Sequence, residues 1–303
     1  MTNATPPSSH NIQMRLILYC AILVIVWGSA FTFIGHAVQY VSPAYLVASR
    51  TIVGSIFLTI FMYWRGHRFP KLTDPLWLWF ALLGLIGMAA PFLFTAKGQV
   101  HVDSGLTSIL IGFMPLVTIV LAHFFIKGEQ LSLRKLLGFI VGFIGIVILF
   151  MPDTLSFELI KDWHAQSLIL IAAVLYAFTT VIIKRAPAVQ ASVGAAMLVI
   201  CSAIWSILWL ICTDMPTSLP PQPAIWSLIA LGIGSTGFAQ ITYIRVIQMS
   251  GPTLIAKINY VVPIFALICG ITFLNEPFNP RAVLALCIVF LGLLIARSSK
   301  AKN

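Results

Sequence analysis

The sequence predicts an all-α integral membrane protein of ten transmembrane helices, built as two inverted five-helix repeats. Three observations carry this. Of 303 residues, 60% are apolar and only 9% charged, with a mean hydropathy of +1.01, a composition that soluble globular chains do not have. The apolar residues fall in blocks close to the ~20 residues that span a ~30 Å hydrocarbon core. The same grammar also occurs twice: Pro115, Glu129 and Arg134 return as Pro263, Glu276 and Arg281, at offsets of 148 (263 − 115), 147 (276 − 129) and 147 (281 − 134). Gly84 and Lys97 return as Gly232 and Arg245, again 148 apart (232 − 84, 245 − 97). An odd number of crossings per copy sends the second copy into the membrane from the opposite side.

The first fourteen residues are small and polar and read as a disordered tail. The block after them is too long, and lacks the small-residue cleavage pattern, to be a signal peptide. The expected crossings are 15–35, 42–64, 76–96, 105–125 and 133–151 in the first repeat, which covers 15–151. In the second repeat, 167–297, they are 167–183, 191–212, 224–248, 252–273 and 281–296. Ser42-Pro43, Asp74-Pro75 and Asn279-Pro280 each read as a capping residue followed by proline in the first turn. Asp103 before Ser104-Gly105 reads as another cap.

The net charge of +10 is explained by the bilayer without nucleic acid. With the N-terminus in the cytoplasm, thirteen Lys and Arg fall on the inner side: Arg15, Arg65, Arg68, Lys71, Lys127, Arg134, Lys135, Lys184, Arg185, Arg245, Arg297, Lys300 and Lys302. Lys97, Lys161 and Arg281 fall outside, so the positive-inside bias puts both termini in the cytoplasm. Cys20, Cys201, Cys212, Cys269 and Cys287 lie in or at the ends of apolar segments without a CxxC pair, and read as packing residues. No HExxH, GxSxG or GxxxxGK[ST] occurs, so the chain reads as neither enzyme nor ATPase, and it implies no metal or cofactor. All eight carboxylates sit in loops or at segment ends. That favours movement of a solute without an obligatory ion-binding carboxylate at the midplane.

Candidate pathway residues are those whose chemistry is costly in lipid. Pro115 and Pro263 fall about ten residues into their crossings and read as symmetry-related hinges beside a shared cavity. Arg50 lies roughly 12 Å from its helix end, too deep to snorkel easily. It could hold a carboxylate in bidentate fashion or clamp helix-end carbonyls. Lys257, about 8 Å from its end, could snorkel or face the cavity. Trp27, Gln240, Tyr243, Asn259 and Tyr260, with Ser29, Thr32, Tyr176, Thr179 and Thr180, supply a polar and aromatic lining at membrane depth. Gly138, Gly142 and Gly145, with Gly292 in the last helix, mark a smooth stripe for scaffold packing or a homodimer surface.

Together these residues resemble the drug/metabolite transporter superfamily, and within it the EamA family. The resemblance rests on Trp27-Gly28-Ser29, on Pro43 followed by Arg50, and on the paired series Pro115, Glu129, Arg134, Gly138 and Pro263, Glu276, Arg281, Ala285. It covers the chain after residue 14 and implies ten helices, cytoplasmic termini and a central cavity between the first four helices of each repeat. It also implies a multi-pass bacterial inner-membrane permease exporting small metabolites, foremost amino acids, by alternating access. Substrate contacts would be Trp27, Arg50, Gln240, Tyr243, Lys257, Asn259 and Tyr260. Cationic drugs, nucleotide sugars and a ligand sensor that moves nothing are the alternatives. The second repeat departs from the pattern, with Tyr176-Ala177 in place of Trp27-Gly28 and Val199 in place of Arg50.

Overall fold

The computed structural model describes residues 9–126, 131–150, 159–185, 187–213, 219–250 and 252–296. They form ten apolar helices: α1 (Ser9–Ala37), α2 (Pro43–Trp64), α3 (Leu76–Gly98), α4 (Ser104–Phe125), α5 (Leu133–Phe150), α6 (Leu159–Ile182), α7 (Ala191–Thr213), α8 (Gln222–Ser250), α9 (Pro252–Leu274) and α10 (Pro280–Ala296). Ten consecutive crossings leave both termini at one end of the bundle, the near end. The α1–α2, α3–α4, α7–α8 and α9–α10 connections lie at the far end. α1 starts at Ser9, so residues 9–14 of the expected tail continue the helix of the first apolar segment. Extending an existing helix over a proline-free stretch is far easier than nucleating one. Glu129 lies outside the described residues.

In lipid each helix must satisfy its own main chain, and its ends need other donors and acceptors. Ser42 Oγ accepts from Tyr45 N (3.3 Å), Asp74 Oδ1 from Leu76 N (2.9 Å) and Asn279 Oδ1 from Arg281 N (2.9 Å). Asp103 breaks the expectation. It occupies the N-cap position of α4 but its side chain makes no capping bond. Glu276, from the far connection of the other repeat, accepts from Ser104 N (2.7 Å) and Gly105 N (3.2 Å) instead. A carboxylate delivered from outside the helix satisfies two end donors at once, which the short Asp103 side chain does not do here.

Helix α3 contains a π-helical stretch, Leu85–Ala89, and α8 a longer one, Ala230–Phe238. Shifting the first by the repeat offset of 148 places it at 233–237, inside the second. Each follows or includes a glycine of the repeat, Gly84 or Gly232, pressed against a neighbouring backbone. A Cβ on Gly84 would sit 2.8 Å from Ser202 N, and one on Gly232 3.1 Å from Arg50 O.

Lipid tails are as apolar as leucine, so helix pairs here are selected by close packing. The pairs relate the repeats to each other, helix n matching helix n + 5. α1 against α9 is matched by α6 against α4, and α2 against α8 by α7 against α3. The pairs α2–α7, α4–α9 and α5–α10 are their own equivalents. Some relations are unmatched among the described residues: α1 meets the far half of α4, whereas α6 with the near half of α9 is not a principal contact, and the pairs α4–α5, α4–α10 and α8–α9 likewise lack a principal equivalent.

The glycine stripe is consumed inside the chain. A Cβ on Gly138 would strike Gly292 O and Ala296, and one on Gly145 would meet Ala285 O at 3.0 Å. The opposite side of this pair carries exposed Leu136, Ile140, Phe143 and Leu291. We expect Gly292→Leu to separate α5 from α10 and destabilise the purified protein by at least ~1–3 kcal/mol, the usual cost of overpacking. Ile140→Ala, on the exposed side, should leave the thermal unfolding midpoint in detergent within error.

Candidate functional site

Arg50 is the one described charge that a membrane-spanning helix carries into the interior. It lies about two turns inside α2 and is only 3% exposed. Its Nε donates to Thr236 Oγ1 (3.2 Å), and its Nη2 donates to Ser235 Oγ (3.0 Å) and Thr236 Oγ1 (3.2 Å). The guanidinium carbon stands 3.9 Å from the centroid of the Phe92 ring, and Phe92 in turn meets Tyr176 with ring centroids 6.4 Å apart. Hydroxyls and a ring face stabilise the cation by hydrogen bonding and cation–π attraction. None of them neutralises it, and no carboxylate among the described residues joins the group. The expected clamp on helix-end carbonyls is not what holds Arg50; two side-chain hydroxyls do.

The π-helical stretch of α8 presents those hydroxyls. Ser235 Oγ donates to Leu231 O (2.9 Å), which leaves its lone pairs for Arg50. Two glycines bring α2 and α8 close enough. A Cβ on Gly54 would lie 2.7 Å from Thr236 Cγ2, and a Cβ on Gly232 would lie 2.6 Å from Val53 Cβ. π-Helical turns concentrate at functional positions because an extra residue re-aims side chains and loosens the hydrogen-bond ladder. Sequence reasoning named Arg50 but missed Ser235, Thr236 and Phe92. The run Gly232-Ile-Gly-Ser-Thr-Gly237, small and polar at membrane depth, was the available signal.

A second group lies between α1, α8 and α9. Trp27 and Tyr243 meet with centroids 5.9 Å apart, tilted by 49°. Both pack against buried Leu23, Val246, Ile258 and Val262. Gln240 is half-buried one turn from Tyr243 on α8, and Asn259 is half-buried one turn before Pro263 on α9. Among the described residues no hydrogen bond or ring contact joins this group to Arg50; α8 is the element they share. Of the lining hydroxyls, Ser29, Thr179 and Thr180 bond back to their own helices, at Val26 O, Leu175 O and Tyr176 O. The side chains of Lys257 and Tyr260 lie outside the described residues.

The two prolines differ in local effect but meet at one level. α4 is interrupted at Gly112 and Phe113, and Pro115 falls in the first turn of its second half, where no backbone donor is lost. α9 runs unbroken through Pro263. A Cβ on Gly112 would lie 3.3 Å from Pro263 Cγ, so the helices cross there. On the far side of the crossing they stay joined, with Gly105 facing Leu267 and with Glu276 on Ser104 and Gly105. On the near side they take different partners. The second half of α4 packs on α5 and α6, while Ile255, Ile258 and Val262 of α9 pack with α1 and α8.

Asp103 stands beside the Glu276 bonds, outside the spans. Partial desolvation at the helix entrance, and then the Glu276 carboxylate, push its carboxyl above the usual range.

The EamA-like transporter family model matches this chain twice, over residues 14–151 and 164–298. An uncharacterized transporter of Archaeoglobus fulgidus is 26% identical over 286 residues, covering 93% of this chain and 98% of the relative. The uncharacterized inner membrane transporter YedA of Escherichia coli (strain K12) is 27% identical over 281 residues, covering 92% and 89%. A probable terminal-alkyne amino-acid exporter of Streptantibioticus cattleyicolor is 26% identical over 282 residues, covering 90% of each chain. A solved crystal structure superposes with a TM-score of 0.65 at 20% identity, over 93% of this chain and 97% of that one, and shares the fold. With two matches that span nearly all of its helices, the chain is a multi-pass membrane transporter for a small molecule, not an enzyme, and belongs to the EamA-like transporter family.

Proposed function

We propose that this transporter exports amino acids or closely related zwitterions from the bacterial cytoplasm, through the inner membrane, by alternating access. The observation that carries the proposal is Arg50, a buried guanidinium held by Ser235, Thr236 and Phe92 with no carboxylate among the described residues beside it. Such a cation lacks its counter-charge until an anion arrives, and the planar fork suits a carboxylate. A substrate carboxylate would replace the hydroxyls on Nε and Nη2. Trp27 and Tyr243 offer ring faces to a substrate ammonium, and Gln240, Asn259 and Tyr260 offer hydrogen bonds, with Lys257 a further cation on the same helix. The likeness to the Streptantibioticus exporter supports the same class. A cationic drug would meet an uncompensated like charge at Arg50. The thirteen Lys and Arg that the sequence puts on the side of the termini, against three on the other, support cytoplasmic termini. Pro115 and Pro263 are then hinges on which the near halves of α4 and α9 swing.

Four outcomes test this. Cells overexpressing the chain should resist at least one toxic amino-acid analogue. Arg50→Ala should remove that resistance, and Asn259→Ala should weaken it; unchanged sensitivity across an amino-acid panel would refute the substrate class. In proteoliposomes, Arg50→Ala should weaken substrate binding roughly ten- to a hundredfold, as expected for ~1.5–3 kcal/mol of charge-assisted bonding. Arg50→Lys should recover only part of it, since a lysine lacks the fork. Because no described carboxylate sits at the midplane, efflux should proceed down a substrate gradient when the pH gradient is collapsed. Strict dependence on that gradient would overturn the uncoupled mechanism. Pro115→Ala should lower turnover while leaving binding affinity near that of the unaltered protein.

A further inference from the structure

The Glu276 contact joins the two repeats at the far end, and its construction is unusual for a mere cap. Asn275 adopts φ 55°, a left-handed turn that ends α9, and folds the chain back so that Glu276 N donates to Gly270 O (3.2 Å). The carboxylate then lies over Gly270, where any Cβ would strike Oε2 and would come within 2.6 Å of Ser104 Oγ. Ser104 is 1% exposed and its hydroxyl has no hydrogen-bond partner among the described residues. Around the contact, Gln99 Nε2 donates to Phe31 O (2.9 Å), tying α1 to the same corner. A Cβ on Gly35 would meet Leu274 at 3.2 Å.

We propose that Glu276 is the latch of the far gate: its carboxylate on the Ser104 and Gly105 N–H groups holds α4 against α9, and the far end opens only when it lets go. The physics makes this a two-state element. The donors are the first main-chain groups of α4, where the helix dipole favours an anion. Both residues are buried, so breaking the bonds without admitting water strands two N–H groups, each a costly loss. They can be released only into water, so unlatching and hydration of the far end occur together. The contacts around it, with α1 on the far half of α4, Gln99 on Phe31 and Gly35 against Leu274, close the far end in this conformation. Asp103 opposes the latch: it directly precedes Ser104, so the Glu276 carboxylate that accepts from Ser104 N comes to rest beside a second carboxylate. Removing either charge therefore has opposite consequences, which no general loss of stability reproduces.

The latch rests on the alternating-access reading, but its test needs no substrate. In a background with the native cysteines replaced, spin labels at His101→Cys and Phe278→Cys would report the distance between the α3–α4 and α9–α10 connections in lipid nanodiscs. Glu276→Ala should raise the open-to-closed ratio about tenfold or more, the size expected when charge-assisted bonds are lost. Gly270→Ala keeps every charge and unseats the carboxylate, and should do the same. Asp103→Asn should shift the ratio towards closed. Unchanged distances in both Glu276→Ala and Gly270→Ala, or a shift of Asp103→Asn in the same direction as theirs, would overturn the latch. A protein that exports no amino acid but shows these shifts would lose the proposed substrate and keep the gate.

Discussion

A polar group buried away from water must find a partner inside the protein, and in a bilayer almost the whole chain is buried in that sense. The backbone answers by forming helices, but that answer is incomplete at every helix end and at every residue where the ladder loosens. In this chain the exceptions carry the meaning. The π-helical stretches of α3 and α8, the break in α4 and the bare N-terminus of α4 are the places where a regular helix fails to satisfy itself. Two of them receive a partner from elsewhere in the chain: the π-helical stretch of α8 meets Arg50 of α2, and the α4 terminus meets Glu276 from the connection after α9, in the other repeat.

This explains why the repeats interlock instead of standing side by side. Glycines permit the close approaches, Gly54 and Gly232 between α2 and α8 and Gly84 against α7, and the approaches deliver polar groups to the gaps. Arg50 is satisfied from α8, and the donors of Ser104 and Gly105 from beyond α9. Contacts that equivalent helices share build the frame. Contacts that only one repeat makes, α1 on the far half of α4 and Arg50 on Ser235 and Thr236, give the molecule a direction and a chemistry.

Much of this was legible beforehand. Period-free apolar blocks mark the ten helices, and Ser42, Asp74 and Asn279 cap where a short polar residue precedes proline. Arg50 stood out because a guanidinium at that depth has to be explained. Its partners did not, because Ser235 and Thr236 look like ordinary small residues unless the π-helical turn that aims them is known. Asp103 misled for a related reason. Local chemistry favoured it as the cap, while the group that bonds α4 lies 172 residues away and is brought there by a left-handed Asn275. The glycine stripe was recognisable as a contact surface, but whether it faced another copy or α10 was a question of tertiary packing alone.

The central claim is that Arg50 is kept without a counter-charge so that a substrate carboxylate can supply one. Comparing inhibition of efflux by an amino acid and by its carboxamide, in reconstituted protein with and without Arg50→Ala, tests it most directly. The claim predicts that the carboxamide is weaker by tenfold or more in the unaltered protein, about the strength of one charge-assisted bond. It also predicts that this preference disappears in the variant. Equal inhibition by the two compounds in the unaltered protein would contradict it.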